Sequence, residues 1–252
     1  MKLNKNLKIG ITGSKGFIGG HIVAGLENQG VKLSFFDLPK NNLLKPNPNL
    51  LKKFILRNDI IIHAAAINRG MDIEVIAGSV VATYNLISAM EKCGSKAKLI
   101  FLSSIQAETE TLYGKSKRLA EIMLEDFSNR IKSPVSIFRL TNIFGEWGKP
   151  FYNSVIATFC HQVAKGEKLN VNPNDKKIKF LYVGDFVKII IKELTLERKN
   201  NFYLKTISSS NEISIPDLAN LIESFKKNKF KAKNKFYKDL YKTYLSYQYK
   251  SV

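Results

Sequence analysis

Gly10-Ile11-Thr12-Gly13-Ser14-Lys15-Gly16-Phe17-Ile18-Gly19 decides the fold. The apolar run Leu7–Thr12 reads as a strand and Phe17–Gln29 as a helix, so Gly13, Gly16 and Gly19 fall at the turn between them in the spacing G-x-x-G-x-x-G. Gly13 permits a tight turn, Gly16 lets the backbone approach a pyrophosphate, and Gly19 lets helix and strand pack closely. Phosphates held there would lie on a helix N-terminus, where the amides of Phe17 and Ile18 and the helix dipole favour negative charge. Such a unit predicts an α/β protein, a Rossmann-type doubly wound parallel sheet.

Working outward, Val31–Asp37, Asp59–Ala64, Ala97–Ser103 and Val135–Asn142 are mostly continuous apolar runs, as strands buried on both faces should be. Helix-period segments separate them at Asp72–Cys93 and Tyr113–Asn129, and Pro39–Asn49 and Asn170–Asp175 read as loops. After Asn142 the alternation loosens into a helix over Phe151–Lys165, a strand over Lys177–Val183, a helix over Asp185–Leu196, a strand over Phe202–Ile207 and a helix over Ile215–Lys227. This divides the chain into a nucleotide-binding domain over 1–150, a small C-terminal α/β substrate lobe over 151–227 and a basic aromatic tail over 228–252. Elements of 176–200 are free to return to the first sheet.

The chain has 252 residues, 44% of them apolar and 24% charged, with 15 Gly and 7 Pro, which excludes collagenous and disordered classes. Cys93 and Cys160 stand far apart without a ligand-spaced partner, so neither a disulfide framework nor a metal site is expected. No stretch approaches the length of uninterrupted apolar residues that a membrane span needs, and no cleavage pattern follows the apolar start. The expectation is a cytoplasmic protein without a membrane partner. The net charge of +19 is scattered, except that nine Lys face one Asp between Lys226 and Val252. Phe230, Phe236, Tyr237, Tyr241, Tyr244, Tyr247 and Tyr249 interleave with them, a pattern that serves RNA stacking or the packing of an appendage. The scatter elsewhere weighs against nucleic acid and suits attraction of small anionic substrates.

The chemistry-bearing positions lie at predicted strand ends. Asp37 closes the second strand, 24 positions after Gly13, where a carboxylate accepts ribose hydroxyls and repels a 2′-phosphate; it also fits a turn before Leu38-Pro39. NAD(H) is therefore favoured, and Lys40 leaves NADP(H) open. His63-Ala64-Ala65 ends the third strand with small residues over which a cofactor can lie; His63 serves either as a contact or as a hydrogen-bonded structural residue. Tyr113-Gly114-Lys115-Ser116-Lys117 puts a phenol and an ammonium on one helix face, with Ser103-Ser104 upstream. A neighbouring ammonium and a positive nicotinamide ring would favour the phenolate, and the serine hydroxyl would hold the same substrate oxygen.

In order and spacing these residues resemble the extended short-chain dehydrogenase/reductase family of nucleotide-sugar epimerases, dehydratases and reductases. The resemblance rests on Thr12–Gly19, His63–Ala65, Ser104 and Tyr113–Lys117, and covers residues 7 to about 225. It implies that Tyr113 is the acid/base, that Lys117 binds the nicotinamide ribose and tunes Tyr113, and that Ser104 orients the substrate. Arg139-Leu140-Thr141-Asn142 is similar to the family's R-x-x-N, implying that Asn142 contacts the sugar nucleotide.

Ser104–Ala107, Asn142–Cys160 and Lys238–Tyr247 resemble more narrowly the CapF-type enzymes of capsular polysaccharide synthesis. That likeness implies reduction of the C4 ketone of a UDP-4-keto-6-deoxy-N-acetylhexosamine with NADPH, a homodimer, and substrate contacts at Asn153 and Lys149. The sequence ends where the cupin epimerase domain of those enzymes begins, which implies that the epimerase half is either missing or a separately encoded cupin partner. Ser79 stands where the family often has a substrate-site Asn, and Lys149, Lys177 or Lys179 take the place of a phosphate-gripping Arg. Ile105-Gln106 occupy the places where a dehydratase carries an acid/base pair, which disfavours dehydration against reduction or epimerisation. A cofactor-binding module without catalysis would need only the glycine loop.

Overall fold

The computed structural model describes residues 3–171, 176–226 and 230–248. Two compact units share the chain: residues 1–140 with 187–207, and residues 141–186 with 208–252. Every strand of the first unit is parallel to its neighbours. In chain order the elements are β1 (Lys8–Thr12), α1 (Phe17–Glu27), β2 (Lys32–Phe35), α2 (Pro48–Leu56), β3 (Ile60–His63) and α3 (Asp72–Ile76). A π-helical turn, Ala77–Val81, leads into α4 (Ala82–Lys92), followed by β4 (Lys98–Ser104), a 3-10 turn over Ile105–Glu108, α5 (Leu112–Ile131) and β5 (Val135–Leu140). The sixth strand arrives only after the chain has built most of the second unit.

That unit holds β6 (Asn142–Phe144), α6 (Val155–Ala164), β7 (Ile178–Tyr182) and the start of α7 (Val183–Glu193). Chain 187–207 then returns to the first unit with β8 (Phe202–Ile207), before β9 (Glu212–Ile213), α8 (Ile215–Glu223) and α9 (Lys235–Gln248) complete the second. The large sheet runs β2-β1-β3-β4-β5-β8. Its registers include Gly10 opposite Ser34, Ile11 opposite Ile62, His63 opposite Phe101 and Ser103 opposite Arg139. β3 and β5 are buried at every position, which is why their sequences do not alternate.

The returning segment is fastened by Glu193, whose buried carboxylate accepts from Ser136 Oγ at 2.7 Å and pairs with Lys98 at 2.8 Å and Arg198 at 2.6 Å. The core beneath the sheet joins Leu51, Phe54 and Ile55 of α2 to Leu86 and Met90 of α4 and Leu124 and Phe127 of α5. The continuous run Asp72–Lys92 is long and apolar enough by length and composition to cross a membrane, but its buried side chains pack into this core.

Several elements differ from expectation. The run Val135–Asn142 is two strands in two sheets: β5 ends at Leu140 opposite Ile207, and β6 pairs parallel to β7. The first unit accordingly closes at Leu140 and regains 187–207, where the sequence reading placed a boundary at 150 and a return within 176–200. α6 starts at Val155 because Phe151 takes a positive φ of 56° and Ser154 caps the helix by accepting from Ala157 N at 3.2 Å. α2 begins inside the expected Pro39–Asn49 loop, with Asn47 accepting from Asn49 N and Leu50 N at 3.1 and 3.2 Å and Pro48 in its first turn.

The 228–252 segment is not an appendage over its described part. Helix α9 buries Phe236, Leu240, Tyr244 and Tyr247 against Phe159, Cys160, Leu218 and Ile222 in the second unit's core. Tyr249 and part of the Asn170–Asp175 loop lie outside the described residues.

Candidate active site

In a parallel sheet the strand C-termini share one edge, and ligands gather where neighbouring strands send their connections in opposite directions. Here β1 leads to β2 on one side and has β3 on the other, and the glycine loop rises from that point. Gly13 has φ +76°, and a Cβ there would meet Ala65 N at 2.5 Å, so the loop is pressed onto Ala64-Ala65. A Cβ on Gly19 would strike Gly13 O at 2.0 Å, which fixes the closeness of α1 to the loop. Gly16 is the N-cap of α1, with no side-chain cap and no acidic residue in the first turn, leaving the amides of Phe17 and Ile18 to an external anion. This cradle fits the pyrophosphate of a dinucleotide.

Asp37 lies beside it, accepting from the backbone of Gly13, from Ser14 N at 3.1 Å and from the Ser14 hydroxyl. Its carboxylate therefore braces the glycine loop as well as lying where a ribose would approach. Lys15 places Nζ 3.0 Å from the carbonyl oxygen of Leu38, the residue after Asp37.

Of the two roles open to His63, cofactor contact and hydrogen-bonded structural residue, the geometry fits the second. The ring is fully buried, with Nδ1 2.7 Å from Thr12 Oγ1 and Nε2 3.1 Å from Thr83 Oγ1. The Thr83 hydroxyl donates to Ser79 O at 2.6 Å, so Nε2–H donates to Thr83 and Thr12 donates to Nδ1. Burial, reinforced by the charge of Lys117, holds the imidazole neutral with its pKa lowered to about 3. The ring ties β1, β3 and α4 together and presents no polar atom to a ligand.

Ser104, Tyr113 and Lys117 come together at the ends of β4 and α5. Thr111 starts α5 by accepting from Gly114 N at 3.0 Å, which sets Tyr113 and Lys117 one turn apart on the helix. The oxygen of Ser104 accepts from Gln106 N at 3.2 Å, and its side chain lies near enough to the Tyr113 phenol to oppose the effect of burial on that group. Burial raises the phenol pKa above its ordinary value and the Ser104 contact opposes that rise, so the protein by itself holds Tyr113 protonated. Without a nicotinamide ring beside the phenol, burial outweighs the Ser104 contact.

Lys117 is 2% exposed, donates to Leu102 O at 3.1 Å, and lies 4.8 Å from the Phe101 ring centroid and 6.0 Å from that of Tyr113. Burial lowers its pKa to about 8, against the opposing field of Glu121.

Asn142, Lys149 and Asn153, the expected substrate contacts, all belong to the second unit and are exposed. Asn142 Nδ2 donates to Lys179 O at 3.4 Å, and Lys149 Nζ lies 4.9 Å from the Tyr152 ring centroid. Ser79 sits in the π-helical turn, 1% exposed, with its hydroxyl unpaired.

A glycine loop pressed against a helix N-terminus and a Ser–Tyr–Lys cluster at one edge of a parallel sheet define the Rossmann-type fold of the extended short-chain class. The chain belongs to the NAD dependent epimerase/dehydratase family, whose model matches residues 9–203. It is 32% identical over 247 residues to the UDP-2-acetamido-2,6-beta-L-arabino-hexul-4-ose reductase of Pseudomonas aeruginosa PA103, an alignment that covers 96% of this chain and 65% of that protein. The capsular polysaccharide assembling protein CapF of Staphylococcus aureus superposes with a TM-score of 0.77 at 30% identity, again over 96% of this chain and 65% of that one. The UDP-glucose 4-epimerase of Thermotoga maritima shares the fold, with a TM-score of 0.82 at 19% identity over 96% of this chain and 99% of that one. The chain thus spans 65% of the length of the first two relatives.

Proposed function

We propose that the chain is an NAD(P)H-dependent reductase of the C4 ketone of a UDP-4-keto-6-deoxy-N-acetylhexosamine, acting in surface polysaccharide synthesis. The observation that carries this reading is the cluster of Ser104, Tyr113 and Lys117 with its phenol held protonated, since reduction of a ketone needs a proton donor at rest. A bound reduced nicotinamide supplies the hydride that C4 accepts. Tyr113 delivers its proton to the ketone oxygen, Ser104 holds that same oxygen, and Lys117 stabilises the phenolate left behind.

Dehydration would need a base beside Ser104. Ile105 and Gln106 provide none, and Glu108 is ion-paired with Arg139 at 2.7 Å. Gly13, Gly16, Phe17, Ile18, Ala64 and Ala65 are assigned to the cofactor, with Asp37 favouring NAD(H) and Lys15 and Lys40 supplying the charge through which NADP(H) would bind. Asn142, Lys149 and Asn153 are assigned to the sugar nucleotide, with the Lys149 ammonium as a point charge for its phosphates.

Tyr84 on α4 and Leu119 and Ile122 on α5 are 57%, 46% and 48% exposed, and we assign this apolar face to a second copy of the chain. A cupin epimerase in the same cytoplasmic compartment would supply the C3-inverted ketone, as the CapF likeness suggests. The test is to mix the purified chain with NADH or NADPH and a panel of UDP-4-keto sugars, following loss of reduced nicotinamide and the configuration formed at C4. Inversion of a UDP-hexose at C4 without net cofactor oxidation, and no turnover of any 4-ketosugar, would replace reduction by epimerisation.

A further inference from the structure

One stripe of α5 carries more than the expected pair: Tyr113, Lys117 and Glu121 follow one another at successive turns. Glu121 is 1% exposed and its carboxylate is fully engaged. Oε1 accepts from Ser103 Oγ at 2.6 Å and from Arg139 Nε at 2.9 Å, while Oε2 accepts from Arg139 at 2.7 Å and from Arg118 at 3.1 Å. Arg139, opposite Ser103 in the sheet, reaches past this pair to donate to Glu108 Oε1 at 2.7 Å. Glu108 ends the 3-10 turn whose N-cap is Ser104. The guanidinium therefore clamps both segments of the site: α5, which carries Tyr113 and Lys117, and the turn that follows Ser104.

We propose that Glu121 and Arg139 form a buried positioning pair that sets the spacing of Ser104 from Tyr113 and holds a fixed negative charge one turn beyond Lys117. The planar fork of arginine suits this task, because one group must bind a carboxylate through two nitrogens and a second carboxylate through the third. The charges support the same assignment. Burial pushes the Glu121 carboxyl upward, but the bonds from Arg139, Ser103 and Arg118 overcome it, and it stays ionised below the usual carboxylate range. Lys117 is reached by that negative charge and by Tyr113 on its own helix, by neutral His63 from β3, and by the Phe101 ring and Leu102 carbonyl of β4. Among the described residues in that set, Glu121 alone carries a negative charge at neutral pH, so its removal should lower the pH at which Lys117 loses its proton.

The proposal rests on the reading of Tyr113 as proton donor, so its test carries Tyr113→Phe as a parallel control. Glu121→Gln should lower kcat about 10–100-fold with little change in the KM for nicotinamide, and should move the basic limb of the kcat–pH profile to lower pH by about one unit. Glu121→Asp, which keeps the charge, should leave that limb where the parent has it. Arg139→Lys keeps its charge but cannot bridge two carboxylates, so kcat should fall about tenfold or more with the limb unmoved. If Glu121→Gln does not fold, the Arg139→Lys and Glu121→Asp outcomes decide the matter. A parental kcat in Arg139→Lys, or a Glu121→Gln profile lowered equally at every pH, overturns the positioning pair. Full activity in Tyr113→Phe overturns the proton-donor reading instead and leaves the parental limb position as the separate measure of Lys117.

Discussion

Replacing Lys117 by methionine should make the protein more stable and inactive at once. Lys117 is 2% exposed, and its pKa falls from 10.5 to about 8 on folding because burial disfavours the ammonium. A folded state that holds a proton less tightly than the unfolded chain is penalised whenever that proton is bound. The shift of roughly 2.5 units corresponds to about 3 kcal/mol. The cost is complete below about pH 8 and disappears as pH rises toward 10.5, where the unfolded lysine also becomes neutral. Methionine fills the same unbranched volume without charge, but it gives up the hydrogen bond to Leu102 O and the contact with the Phe101 ring. Allowing about 1–2 kcal/mol for those losses, Lys117→Met should gain about 1–2 kcal/mol near neutral pH, a few degrees in Tm. The assay is urea unfolding of parent and variant, without cofactor, at a series of pH values. The gain should shrink steadily above about pH 8. A variant less stable than the parent near neutrality, or a difference that does not change with pH, would show that Lys117 pays no penalty for its burial.

Three further outcomes are open to direct measurement. Tyr113→Phe keeps the ring and removes the proton, so kcat should fall by about 10²–10⁴ with nicotinamide affinity within a few-fold, as read by stopped-flow turnover and fluorescence titration. Asp37→Ser removes the carboxylate that follows β2 and should shift preference toward NADP(H) by roughly tenfold, or 1.4 kcal/mol, in competition binding; an unmodified protein that already prefers NADPH would show that Asp37 acts only as a brace for the glycine loop. Leu240→Ala empties a fully buried position of α9 and should cost about 2–5 kcal/mol in chemical denaturation, where an appendage would lose almost nothing.

The parts of the fold written in local chemistry were readable before the structure. A strand running into Gly13, Gly16 and Gly19 and then a helix has few physical alternatives, and the buried strands announce themselves as unbroken apolar runs. Tyr113 and Lys117 were legible because a fixed spacing on one helix carries their chemistry, and Ser104 because it closes the strand before that helix. α9 was not, because Lys235, Lys238 and Lys242 on its wet face hid the apolar set Phe236, Leu240, Tyr244 and Tyr247. The break at Thr141 was invisible for another reason: apolar character continues across it, and only the strand partners change. His63 stayed open between contact and structural residue because a sequence shows the residue type but not that Thr12 and Thr83 take both ring nitrogens. Glu121 carried a signal that went unused, its place four residues beyond Lys117.

The interleaving of the two units has a consequence for how the protein is made. β5 is buried along its whole length only because β8 pairs with it, and β8 lies more than sixty residues further along the chain. At the usual pace of translation, the interval between the appearance of Leu140 and that of Ile207 is roughly 3–13 s. Throughout that time the nascent chain offers an apolar strand with a free hydrogen-bonding edge, the kind of surface on which chains join one another. Yield in a cell should therefore depend on what shields that edge during synthesis, and a cut or stalled ribosome between residues 141 and 201 should give aggregates in place of a smaller folded domain.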